Sequence, residues 1–285
     1  QSIFDTSRTH LLAELPQRAR ALAQPRRIIF IAENEPQCSE HLLPVDAGGF
    51  GIDAMWNDDF HHSARVALTG SRDGYFNDYT GRAQEFVSCV RRGFLYQGQW
   101  YSWQKKCRGS PLRDREAAAC GIFLQNHDQV GNTATGVRIH LHSAAARYRA
   151  LTALTLLAPQ TPLLFMGQEF GASTTFTFFA DHTAKLSREV HAGRREFVGQ
   201  FRAYADPRLQ ASIPDPGAER TFSDSKLDWT ECARNRHMLS LHRDLLRLRS
   251  GDPVISRQDL ASIDGATLSE HSFVLRWFDA EHGDR

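Results

Sequence analysis

The sequence predicts an α/β protein built on a mainly parallel sheet, and three observations carry that reading. Short apolar runs alternate with longer segments of helical spacing. The runs are continuously apolar, as strands covered on both faces are, and do not alternate as half-exposed strands do. Each run also ends on polar residues, and in α/β folds the rim at the carboxyl ends of strands is where chemistry is done.

In order, Ser7 to Ala23 has helical spacing, with Leu11, Leu12, Leu15 and Leu22 apolar and Thr6 or Ser7 as its cap. Arg27 to Ala32, RIIFIA, reads as a buried strand ending on Glu33 and Asn34. A loop rich in Gly and Pro runs from Pro36 to Gly49. Phe50 to Trp56 is a second strand, and a helix follows from Asn57 to near Gly70. Arg82 to Arg92 is a further helix, and the aromatic, basic stretch from Gly93 to Pro111 is expected to be loop. Ile122, Phe123 and Leu124 form a third strand, which runs into Asn126, His127 and Asp128. Ser143 to Leu157 is an apolar helix, and TPLLFM from Thr161 to Met166 is a fourth strand, ending on Gly167, Gln168 and Glu169. Thr230 to Arg249 reads as one amphipathic helix with Met238, Leu241, Leu245 and Leu248 on its stripe.

Four strong strands and four or five long helices are about half of what a closed (β/α)8 TIM barrel requires. After Gly251-Asp252-Pro253 the pattern changes, and SFVLRWF before Asp279 reads as a strand. Both ends read as cut. The expected organisation is the C-terminal half of a (β/α)8 barrel over 1–250, followed over 251–285 by the start of an all-β C-terminal domain. Neither internal repeats nor low-complexity segments are present.

Composition narrows the function. The formal net charge is +1, so no large field favours nucleic acid or an anionic membrane surface. The basic pairs Arg26-Arg27, Arg91-Arg92, Lys105-Lys106 and Arg194-Arg195 are short and dispersed, as on a solvated surface. The five cysteines show no C-x-x-C spacing, and their odd number fits a reducing, cytoplasmic setting. No apolar run is long enough to span a membrane, and residue 1 opens no secretory signal. No cofactor or metal is expected.

Two carboxylates stand at strand ends, Glu33 after the first and Asp128 after the third. About 95 residues separate them, room for two or three βα units of roughly 30 residues each. They can therefore face one cleft from non-adjacent strands, and paired carboxylates in a cleft are the usual equipment of glycoside hydrolysis. Taken alone, Asp128 could equally be a helix cap. The group Asp58, Asp59, His61 and His62 admits three readings. A metal site is disfavoured, because adjacent imidazoles do not readily point the same way. Framework and capping roles, and sugar recognition at the rim, both stay open. Aromatics in a large domain more often pack than bind, so stacking of sugars on Trp100 or Trp103 is the lesser reading, and Glu169 is as well explained by a structural ion pair.

These strand ends resemble glycoside hydrolase family 13, the α-amylase clan. Ile31-Ala32-Glu33-Asn34 is similar to the segment carrying the general acid/base, and Asn126-His127-Asp128 to the last conserved segment of the clan. Trp56 to His62 (WNDDFHH), Ala67 to Gly70, Gly74 to Tyr79 and Gln125 to Asn132 (QNHDQVGN) resemble the clan's trehalose-releasing members in order and spacing. So do Pro162 to Glu169, Phe179 to His182 and Gly193 to Phe197. The resemblance implies retaining hydrolysis of maltooligosyl trehalose or a related α-glucan. In that chemistry Glu33 is the acid/base and Asp128 the transition-state stabiliser. It implies sugar contacts from Asn34, Trp56, Asp58, Asp59, His61, His62, Asn126, His127, Gln129, Gly131 and Asn132. It also aligns Gln1 to Asp5 with the segment after the clan's nucleophilic Asp, which places that nucleophile about three residues before Gln1, with the N-terminal half of the barrel upstream. Asp5 itself is expected to cap or to lie on the surface. The alternatives are a glycogen-branching or debranching enzyme of the same clan, and a non-catalytic α-glucan-binding protein.

Overall fold

The computed structural model describes residues 3–112 and 117–285; Gln1 and Ser2 of the opening segment lie outside them. Helix α1 (Leu11–Ala23) leads into strand β1 (Ile31–Ala32), β2 (Ala54–Trp56) and helix α2 (Asp58–Thr69). Helix α3 (Ala83–Arg92) precedes a hairpin of β3 (Gln99–Tyr101) and β4 (Lys106–Arg108). Then come β5 (Cys120–Ile122), α4 (His127–Gly131), α5 (Ala145–Leu157) and β6 (Thr161–Pro162). Helices α6 (Ala184–Gly199), α7 (Pro207–Ala211), α8 (Glu219–Asp224), α9 (Glu231–Arg234) and α10 (Arg236–Gly251) follow, and β7 (Ile263–Ser269) with β8 (Ser272–Trp277) closes the chain.

The main sheet has the order β1-β2-β5-β6. Every pair is parallel, with Ile31 opposite Ala54, Met55 opposite Cys120 and Gly121 opposite Thr161. Sequential, all-parallel neighbours form the wall of a barrel; α-helices join β2 to β5 and β5 to β6, while only two short 3-10 turns lie between β1 and β2. The described residues make that wall and no closed barrel. The core lies between this sheet and its helices. It joins Phe60, Ala64 and Leu68 of α2, Phe86 and Val90 of α3, Ile122 and Leu124 of the third strand run, and Tyr148 and Leu151 of α5. Burying one such aromatic or aliphatic side chain contributes about 1.5–3 kcal/mol. The β7–β8 hairpin extends this core. Ile263 joins it and Phe273 stacks on Phe86 at 5.9 Å.

Several expectations need correction. The strands are much shorter than the apolar runs. β1 is an edge of the sheet, and Ile29 and Ile31 are 57% and 59% exposed. Helix α1 starts at Leu11, not Ser7, and is capped by His10, whose Nδ1 accepts from the Leu12 amide at 3.1 Å. Its inward face is Ala13, Pro16 and Ala23, while Leu11, Leu15 and Leu22 face outward. Asp5 does cap, accepting from the Leu11 amide; hydrogen bonds from Ser7 hold its carboxyl down at about 2. The stretch expected to be loop holds the antiparallel β3–β4 hairpin. Gly109 ends that hairpin at φ +76°, where any Cβ would lie 1.8 Å from the Tyr96 carbonyl oxygen. The helix expected over Thr230 to Arg249 breaks at Asn235. Ser173 holds Glu231 and the Gly171 carbonyl accepts from Asn235, so tertiary ties override the helical pattern there. Leu248 of the expected stripe is exposed.

Candidate active site

The three strands β1, β2 and β5 stop at one rim, and their polar ends converge. Glu33, Asp58, His62, Asn126, Asp128, Gln129 and Asn132 line a single cleft of about 380 Å³. Glu35, Tyr75, Tyr101, Trp103, Arg108, Phe197 and Gln200 complete it. Glu33 follows β1 directly, and Asp128 sits in the first turn of α4 after β5. One strand, β2, lies between their carriers. At about 4.8 Å per strand the two carriers are roughly 10 Å apart.

The local sequence sets each position. Asn57 and Asn126 are both helix caps: their side-chain oxygens accept from the amides of Phe60 (3.2 Å) and Gln129 (2.9 Å). Neither Asp58 nor Asp59 caps, contrary to one reading of the sequence. Gln129 accepts from the Tyr75 hydroxyl at 3.2 Å. His127 is exposed, with Nε2 3.5 Å from an Asp128 carboxylate oxygen and its ring edge-on to Trp56.

Other expected contacts turn away from the cleft. Asp59 is fully buried, accepting from the Tyr79 hydroxyl (2.7 Å), the Leu95 and Tyr96 amides (3.0 and 2.9 Å) and Arg108 Nε (3.2 Å). A carboxylate so surrounded is framework, because no lone pair is left for a sugar. His61 is buried too; its Nδ1–H donates to the Leu124 carbonyl at 2.7 Å and its ring stacks on Phe123. Asn34 donates to the Cys38 carbonyl and contacts His41 in its own loop. The Gly131 carbonyl accepts from Arg194. Trp56 and His127 stand beside the cleft and do not line it. Trp103 lines it and Trp100 does not. Glu169 lies outside the lining, and its charge bears on buried Arg138.

The electrostatics follow burial. The Asp58 carboxyl is pushed up to about 7, first by burial, with Asp59, Glu33 and Glu35 adding repulsion and Arg108 opposing them. Burial pushes His61 down to about 3 and His62 far below its usual range, so both imidazoles are neutral. Among the described residues, no group of three or more His, Cys, Asp or Glu side chains is arranged to hold a metal ion.

Sequence reasoning assigned no role to Arg108 or Arg194. Arg108 is buried on β4, within the stretch expected to be loop. Arg194 clamps the end of α4, donating to the Gly131 carbonyl and the Asn132 side chain, both at 2.6 Å. The sequence placed it in the basic pair Arg194-Arg195, read as solvated surface, and in the segment Gly193 to Phe197, which carried resemblance but no chemistry; the structure instead half-buries it against α4.

No family model matches the chain. It is 40% identical over 255 residues to the malto-oligosyltrehalose trehalohydrolase of Deinococcus radiodurans, covering 88% of this chain and 41% of that protein. It is 36% identical over 284 residues to the protein of the same name from Rhizobium sp. strain M-11, covering 97% and 46%. A crystal structure described as a putative alpha amylase from Salmonella typhimurium superposes with a TM-score of 0.83 at 34% identity, over 96% of this chain and 47% of that one. A pullulanase from Paenibacillus barengoltzii superposes with a TM-score of 0.54 at 17% identity, over 95% of this chain and 37% of its own, and shares the fold alone. The chain thus spans less than half the length of each of these relatives.

Proposed function

We propose that this homologue of the malto-oligosyltrehalose trehalohydrolases is the part of a retaining glycoside hydrolase that supplies the acid/base and the transition-state carboxylate for releasing trehalose from maltooligosyl trehalose. The observation that carries the reading is that Glu33 and Asp128, from strands separated by one neighbour, line the same cleft. Sequence similarity to proteins of that name over most of the chain supports the substrate.

In this mechanism Glu33 protonates the glycosidic oxygen as it leaves, and then takes a proton from the water that resolves the glycosyl-enzyme. Glu33 lines the cleft and is exposed, which gives that water access. Asp128 accepts from hydroxyls of the reacting glucose more strongly as the ring flattens, which is differential binding of the transition state. His127 beside it donates to a sugar hydroxyl. Asn126, Gln129 and Asn132 offer amides to further hydroxyls, and Trp103 an exposed ring to a sugar face. The attacking carboxylate is an Asp about three residues before Gln1, on the last strand of an N-terminal half-barrel. Residues 1–250 are then the second half of the catalytic barrel and 251–285 the opening of a β domain. The free cysteines fit a cytoplasmic setting, and no helix among the described residues is long and apolar enough to cross a membrane.

The test is product analysis with the full-length protein and maltooligosyl trehalose. Free trehalose with no new α-1,6 branches is expected. New α-1,6 branches without trehalose would assign the cleft to a branching enzyme instead.

A further inference from the structure

The β1-β2-β5 order does more than separate Glu33 from Asp128. It brings Asp58, which follows β2, to the rim between them, about one strand spacing from each carrier. Asp58 lines the cleft while its neighbour Asp59 is consumed by the framework. Behind them lies Arg108, 1% exposed, fixed by Asp59 at 3.2 Å and by the Tyr101 ring at 4.9 Å. Arg108 also lines the cleft, and its buried Nη2 has no hydrogen-bond partner. The guanidinium is thus oriented by two contacts and keeps an unspent donor beside the cleft floor.

We propose that Asp58 meets the sugar as a proton-bearing carboxyl, with Arg108 as its positioning residue, so that filling this cleft takes up a proton; the proposal rests on the glycosidase reading. The charged and titratable groups facing Asp58 are Arg108, Asp59, Glu33 and Glu35, with His62, Tyr75, Tyr101 and Asp128 in the same lining. Only Arg108 among them favours the ionised form; burial and the three carboxylates disfavour it, and they hold Asp58 near half-protonation at neutral pH. A neutral sugar laid over the cleft removes the water that remains and raises that carboxyl further. The neutral carboxyl donates its hydrogen to a sugar hydroxyl oxygen. By linkage, affinity is flat at acid pH and falls as pH rises past about 7, because the bound state must then draw a proton from solvent.

Binding calorimetry tests this without turnover. The full-length protein is titrated with trehalose and with maltotriose near pH 7.5, in two buffers of different ionisation heat. Wild type is expected to take up roughly half a proton per sugar bound. Asp58→Asn, whose amide donates at any pH, is expected to take up almost none. Arg108→Gln removes the cation and is expected to move the pH midpoint of uptake upward, and Arg108→Lys to return it part of the way. Sugar binding without proton uptake, or uptake that survives Asp58→Asn, would overturn the proposal and leave the glycosidase reading standing. A midpoint that neither Arg108 variant moves would remove Arg108 from it. Failure of wild type to bind either sugar would overturn both.

Discussion

The segments after β2 and β5 start alike and end differently. Each opens with an asparagine cap, Asn57 or Asn126, and each places an aspartate at the second helical position, Asp59 or Asp128. Asp59 is fully buried and accepts from two side chains and two amides. Asp128 stays 39% exposed in its side chain, with His127 Nε2 3.5 Å away and Tyr75 and Arg194 within reach of its charge. The same local pattern yields a framework carboxylate in one case and a cleft carboxylate in the other. What differs is the supply of donors. Tyr79, Arg108 and the turn at Leu95 and Tyr96 close around Asp59, whereas no such wall closes around Asp128. A strand-end aspartate therefore signals position, and its surroundings decide its use.

Exchanging roles at the two positions breaks this comparison most sharply. Asp128→Asn is expected to lower trehalose release by at least about 100-fold with little loss of stability. Asp59→Ala is expected to cost about 3–5 kcal/mol, because it strands the buried Arg108 charge. Denaturant unfolding of the full-length variants, set against their rates, separates the two effects. Equal stability losses would show that the carboxylates are not divided in this way.

The sequence reached the positions of Glu33, Asp58, His62 and Asp128 because apolar runs locate strand ends. It missed the fate of Asp59 because Arg108, about 50 residues away, lies on a hairpin too short and too polar to show strand periodicity. The sequence reading placed no helix at α6 (Ala184–Gly199), so the Arg194 clamp on α4 was not reached from it. The short parallel ladder was legible in order but not in extent, since apolar character reports burial, not hydrogen bonding, and Phe123 and Leu124 are buried beyond β5.

The caps sharpen the comparison at smaller scale. Asn126→Ala is expected to cost about 1 kcal/mol, the loss of one cap bond. Asn57→Ala is expected to cost more, because Asn57 also donates to the buried Gly93 carbonyl. Thermal unfolding of the pair gives the ranking, and a reversed order would count against the framework role of the first segment.

The pH dependence of stability sets the two buried histidines against Asp58. His61 is held near 3 when folded and titrates near 6.5 when unfolded, and burial pushes His62 down in the same direction. The unfolded chain therefore binds more protons between about 6.5 and 3. Stability contributed by neutral histidines is full above 6.5 and falls on acidification, by at most about 1.4 kcal/mol per pH unit for each. Asp58 acts oppositely: raised to about 7, it gives stability back as pH drops from 7 toward 4. Unfolding of Asp58→Asn at pH 7 and pH 5 is expected to show a steeper acid loss than wild type.

Glu33 is the residue on which catalysis in this cleft depends most directly. Trehalose release from maltooligosyl trehalose is to be measured for the full-length protein and for Glu33→Gln, with binding of the substrate followed in parallel. The variant is expected to bind normally and to turn over at least about 100-fold more slowly. Turnover equal to wild type would contradict the assignment of this cleft.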